Sequence, residues 1–151
     1  MSKYRSIVAM AMAFVMILLI AFASPAEAKT RSKKVPSYTA EQIETIQKYT
    51  SDIEQIRGRL TELGELIEAE NWIFTRNFIH GPLGELRFKM MGIARELFPD
   101  AAKEARNLTR EVFKQLSVID QAAVDKDYRA AQRAFNAMNA GLEQFLNLLP
   151  Q

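Results

Sequence analysis

The chain has 151 residues, 20 Lys and Arg against 18 Asp and Glu, one His and no Cys. That is the length of one domain; the absent cysteine excludes a disulfide framework, a thiolate metal site and a thiol nucleophile, and a charge so near balance gives no argument for nucleic acid. A mature chain starting at Lys29 would lose Lys3, Arg5 and Glu27, which takes the formal charge from +2 to +1.

Lys3 and Arg5 precede an uncharged apolar stretch over residues 7–23, followed by Ala26-Glu27-Ala28. A basic start, an apolar run and a small-x-small site predict a secretory signal peptide over 1–28, cleaved after Ala28. An uncleaved anchor is the alternative for so long an apolar run. With no twin arginine and no lipobox cysteine, the expectation is general export and a soluble mature protein. Residues 29–38 are basic, contain Ser and Pro and lack an apolar period, so they read as a flexible tail that is either plain solvated leader or a segment that orders on a partner.

Thr39 with Gln42 predicts a capping box opening helix one, whose inward stripe is Ile46, Tyr49, Ile53, Ile56, Leu60, Leu63 and Ile67, with Gly58 and Gly64 off the seam. Helix two starts after Asn71 and stops at Phe98-Pro99. Steps of four and three through Trp72, Arg76, Ile79, Leu83, Leu86, Met90, Ile93 and Leu97 cross Gly81-Pro82-Leu83-Gly84 without a change of phase. The expectation is one long kinked helix, in which an interior proline costs about 3 kcal/mol. Helix three is capped by Asp100 and runs to about Ala123, with Ala105, Leu108, Val112, Leu116 and Ile119 inward. Helix four runs from about Asp127, with Tyr128, Ala131, Phe135, Met138, Leu142, Phe145 and Leu149 inward. Four amphipathic helices with short connections predict an all-α, up-down-up-down four-helix bundle over 39–151.

Catalytic and cofactor chemistry lack their residues. There is no Gly-x-Ser-x-Gly elbow, no phosphate-cradling glycine loop and no His-Glu-x-x-His, and carboxylate pairs such as Glu68 with Glu70 and Asp125 with Asp127 fall at or near helix ends, where solvated or capping roles explain them. Haem c attachment needs cysteines, and a di-iron bundle needs Glu-x-x-His pairs, whereas the single His80 has Asn77 three residues before it. No enzyme, cofactor or metal is expected; His80 reads as a hydrogen-bonded surface or kink histidine, with an adventitious surface metal site as the alternative.

The block Phe78-Ile79-His80-Gly81-Pro82-Leu83-Gly84-Glu85-Leu86-Arg87, with Trp72 near the start of the same helix, resembles the PsbQ family of extrinsic photosystem II subunits in its cyanobacterial form. The chain departs from many cyanobacterial members in having no lipobox cysteine. The resemblance implies a non-catalytic protein of the thylakoid lumen, peripheral to the membrane and monomeric when free, that docks on photosystem II. It further implies support of calcium and chloride retention and of complex assembly, with the core antenna subunits and the manganese-stabilising extrinsic protein as partners. Candidate partner-binding residues are Trp72, Arg76, Asn77, His80, Gly81, Pro82, Gly84 and Arg87. Each also has a plain reading: Trp72 as a core knob at a bundle end, and the polar residues as a solvated helix face. An exported helical-bundle chaperone or envelope stress protein is the rival from another class, and an electron carrier a third.

Overall fold

The computed structural model describes residues 37–150. The expected signal peptide, most of the expected tail and Gln151 lie outside the described residues. The described part is all-helical, as expected, with no strand among the described residues. None of its helices is long and apolar enough to cross a membrane.

Six helical segments stand where four helices were expected: α1 Ala40–Gly58, α2 Leu60–Glu68, α3 Trp72–His80, α4 Leu86–Glu96, α5 Pro99–Asp125 and α6 Tyr128–Asn147. Helix one is cut at Arg59, whose N–H donates to the Ile56 carbonyl at 3.0 Å, a tightened turn after a residue of poor helix propensity, Gly58. The cut leaves the seam in phase, since Ile46, Ile53, Leu60, Leu63 and Ile67 are all buried, while Tyr49 and Ile56 are half-buried against the core.

The second cut is deeper and corrects the expectation of one kinked helix. Residues 81–85 form a turn. In a continuous helix Pro82 would leave the Phe78 carbonyl without its donor; here the Leu83 N–H reaches that carbonyl at 3.3 Å. The loop so closed holds one residue more than an α-turn, which rotates the inward face by about 100°. Before the turn the buried residues are Thr75 and Phe78; Leu83 is buried within it, and Leu86, Met90 and Ile93 are buried after it. Arg76, placed in the inward stripe by its spacing, is exposed, and Trp72 and Ile79 are only half-buried.

Helix termini follow local chemistry. The Thr39–Gln42 capping box is complete, and Asn71 and Asp127 accept from the N–H groups of Phe74 and Ala130. Asp100 does not cap α5: Pro99 occupies the first turn, where its missing N–H is no loss, and the extended Phe98 precedes it without a side-chain cap. α5 runs past Ala123 to Asp125 and is ended by Lys126 in the left-handed region at φ 57°. Tyr38, assigned from sequence to the tail, stacks on Phe98 with ring centroids 4.1 Å apart and accepts from the Phe98 N–H at 3.4 Å.

Cross-contacts fix the pairing. Gln42 donates to the Glu96 carbonyl, Tyr49 meets Phe88 edge-on at 5.9 Å and Lys89 reaches Asp52 at 2.8 Å, so α1 and α4 run antiparallel. Arg76 pairs with Asp120 and Arg87 with Phe113, which sets α3 and α4 antiparallel to α5. The closest pairing joins α5 to α6, where Gly141 lies so near Val112 that an added Cβ would sit 3.2 Å from its side chain. Ala105, Ala131, Met138, Leu142 and Phe145 are buried in this half; each large apolar side chain removed from water contributes about 1.5 to 3 kcal/mol. Tyr128, expected inward, is 38% exposed at the start of α6.

Candidate docking surface

α3 begins with Asn71, whose side-chain oxygen accepts from the Phe74 N–H at 3.5 Å. Trp72 packs half-buried against the core, while the next two residues turn outward: Ile73 is 74% exposed and Phe74 58%. Large apolar side chains in water at a helix start are a candidate contact surface, one that no periodicity separates from core.

One turn further on, Arg76 Nε donates to Asp120 Oδ1 at 3.1 Å and His80 Nε2 lies 3.0 Å from the same oxygen. A carboxylate oxygen only accepts, so this geometry puts a proton on His80 Nε2. Partial burial pushes the Asp120 carboxyl upward, but the hydrogen bonds from Arg76 and His80, with their charges, outweigh it and hold Asp120 below the ordinary carboxylate value. Two of the predicted partner-binding residues are thus joined through a residue 40 or more positions away.

The turn explains its own glycine. The Gly81 N–H donates to the Asn77 carbonyl at 2.9 Å while the chain leaves the helix at ψ −90°, and a Cβ at Gly81 would lie 2.9 Å from that carbonyl. The Asn77 side chain is exposed. After the turn, Arg87 places its guanidinium 5.1 Å from the centre of the Phe113 ring on α5.

Six of the eight predicted residues divide over two sides of the α3–α4 segment, Arg76 and Arg87 lying on the α5 side through Asp120 and Phe113. On the α5 side, His80 and Gly84 border a groove of about 310 Å³ with Ile79, Leu83, Phe113, Leu116, Ser117 and Asp120. On the α1 side, Gly81 and Pro82 border a groove of about 410 Å³ with Asp52, Gln55, Ile56, Arg59, Glu85 and Lys89. There the Lys89 ammonium is held by Asp52 at 2.8 Å and Glu85 at 3.2 Å; these hydrogen bonds, Asp52 foremost, raise its pKa against the opposing effect of burial. Arg59 stacks over Phe78 at 5.2 Å and pairs with Glu62 at 3.1 Å. Among the described residues no group of three or more His, Cys, Asp or Glu is placed to hold a metal ion.

Sequence reasoning missed Phe113, Asp120 and Ile73. Phe113 and Asp120 lie seven residues apart, each one position past the buried Val112 and Ile119. That places them on the border of the α5 seam, and the border position of an aromatic and an acid is the one signal the sequence holds for them.

Comparison with known proteins agrees with the Phe78–Arg87 block. The family model described as PsbQ, oxygen evolving enhancer protein 3, matches residues 5–150. A Synechocystis sp. protein named CyanoQ is 36% identical over 153 residues, an alignment covering 100% of this chain and 99% of that protein. The matches run through both helix breaks and both halves of the helical domain, and the chain belongs to the PsbQ family.

Proposed function

We propose that this protein is a non-catalytic extrinsic subunit of photosystem II that docks on the lumenal face and stabilises the oxygen-evolving complex. The observation that carries this reading is the family match over residues 5–150, together with identity to CyanoQ along the whole chain. The six segments act as four rods in up-down-up-down order, two of them broken. Antiparallel contacts of α1 with α4, and of α3 and α4 with α5, support that arrangement. A pre-folded helical body loses little conformational entropy on docking, which suits a subunit whose work is to cover a surface and limit exchange of water and ions.

The docking element runs from Trp72 to Arg87, and the core antenna subunits and the manganese-stabilising extrinsic protein are the partners. Retention of calcium and chloride follows from covering the site, with no ion bound by this chain. The signal peptide 1–28 exports it, the tail 29–38 leads into the helical domain, and the mature chain is a peripheral, salt-releasable monomer.

A tagged form recovered from thylakoid membranes is expected to bring photosystem II with it. High salt is expected to release it, since exposed charge pairs are screened over roughly 8 to 10 Å at ordinary ionic strength. Readdition is expected to reduce the calcium and chloride needed for oxygen evolution. A tagged protein that purifies without photosystem II, or oxygen evolution indifferent to its return, contradicts the assignment.

A further inference from the structure

Of the two sides of the α3–α4 segment, the one facing α5 carries the features of a contact face. Ile73, Arg76 and His80 recur three and four residues apart on α3, and Phe113, Ser117, Asp120 and Val124 do so on α5. Such spacings put each set on one face of its helix, and the Arg76 and His80 bonds to Asp120 bring the two faces side by side. Because the helices are antiparallel, the residues one turn before Arg76 lie beside those one turn after Asp120. These are Ile73, 74% exposed, and Val124, 51% exposed. In the other direction the groove of about 310 Å³ opens between the turn and α5, with the buried Leu83 and Leu116 at its floor and Phe113 on its wall.

The charges distinguish this side from the other. The two cations that line the α1-side groove each have a carboxylate, Lys89 with Asp52 and Glu85 and Arg59 with Glu62. On the α5 side Arg76 is compensated by Asp120 and Lys114 by Glu111. Arg87, over the Phe113 ring, and Arg110, one turn before Phe113 and bonded to the Asn107 amide, have no carboxylate partner among the described residues. A guanidinium stacked on a ring keeps its N–H edge free for a carboxylate, which it grips through two parallel hydrogen bonds.

Resting on the photosystem II reading above, we infer that the α3–α5 face docks a partner protein that inserts one apolar side chain between Leu83, Phe113 and Ser117. The same partner sets a carboxylate on Arg87. Ile73 and Val124 form the apolar flank of the contact, and the Arg76–Asp120–His80 cluster holds α3 in register with α5 beneath it.

The test is rebinding of purified protein to salt-washed photosystem II membranes, with helicity and melting followed on the same samples. Ser117→Trp fills the groove from an exposed position, and Arg87→Glu opposes the partner carboxylate; each is expected to weaken binding about tenfold or more with the fold intact. Gln55→Trp, which crowds the α1-side groove instead, is expected to bind as wild type. If Ser117→Trp lowers helicity, Arg87→Glu decides alone. Folded variants on the α5 side that rebind as wild type overturn the inference, and so does loss confined to Gln55→Trp. Wild-type protein that sediments with protein-free phosphatidylglycerol vesicles, and loses that binding on Arg87→Glu, identifies a lipid surface and overturns the protein partner. Wild-type protein that binds no photosystem II, seen before any variant is compared, removes the reading on which the inference rests.

Discussion

α5 and α6 run for 27 and 20 residues without interruption, whereas the chain from Ala40 to Glu96 is cut at Arg59 and again over 81–85. The composition differs to match. Of the six glycines, only Gly141 lies in the unbroken half, and Pro82 lies in the broken one. Gly141 serves close packing of α5 on α6, while Gly81 serves a change of chain direction. The unbroken pair is a scaffold in which small residues such as Ala105, Ala131 and Gly141 let two helices meet closely around large buried side chains. The broken half gives up helix continuity and gains two grooves and a turn of defined shape.

If the broken half nevertheless shares one core with the scaffold, its buried residues should be as costly to remove as any. Leu86 and Ile93 are fully buried on α4. Leu86→Ala or Ile93→Ala is expected to destabilise the protein by about 2 to 5 kcal/mol through lost burial and the cavity left behind. Denaturant unfolding measures it. A change below about 1 kcal/mol would mean that α4 packs loosely and that the two halves are energetically separate.

Gly92 sharpens the comparison at the α1–α4 contact. A Cβ there would lie 2.6 Å from the Tyr49 ring, which is half-buried and meets Phe88 edge-on at 5.9 Å. Gly92→Ala must displace a ring body, and the expected loss is about 1 to 3 kcal/mol despite the better helix propensity of alanine. Gly92→Ala combined with Tyr49→Ala should be less damaging than the sum of the two single changes. Simple additivity would show that the ring is not what excludes a side chain at this position.

Gly58 gives the opposite sign. Nothing lies within 4 Å of a Cβ built there, and its φ is not positive. Gly58→Ala is therefore expected to stabilise the protein by about 0.4 to 1 kcal/mol through the unfolded chain. Thermal melting reads it, and a lower melting temperature would show that the break at Arg59 depends on the glycine.

What could be read in advance divides by range. The caps at Thr39, Asn71 and Asp127 are decided within four residues, and the seams of α1, α5 and α6 by periodicity, so these were legible. The Phe78-to-Leu83 phase change was not, because Ile79, Leu83 and Leu86 offer an equally regular seam; the missing N–H of Pro82 selects the other. Thr75 and Thr109 are buried though polar, since each hydroxyl donates to the carbonyl four residues back, at 3.0 and 2.7 Å, and pattern rules count such residues as surface. For the candidate docking face, the turn and its polar residues were visible as a block. Their tie to Asp120 and Phe113 was not, because a contact across more than twenty residues of sequence leaves no local period.

The smallest effect tests that tie. Asp120 titrates below its ordinary value in the folded protein, so the unfolded state binds more protons than the folded one while acid is added. Its contribution is fully present above the unfolded pKa of about 3.9 and is lost as pH falls through the lower folded value. Asp120→Asn and Arg76→Ala are each expected to cost under about 1 kcal/mol at neutral pH, because the pair is partly exposed and solvent screens it. For Asp120→Asn, the gap from wild type should close as the pH falls from the unfolded value through the lower folded one. A gap that widens in acid would mean the carboxylate is a liability in the folded state. A loss at neutral pH as large as that of Leu86→Ala would make the Arg76–Asp120–His80 cluster a structural keystone between α3 and α5, erasing the distinction between the scaffold and the face it supports.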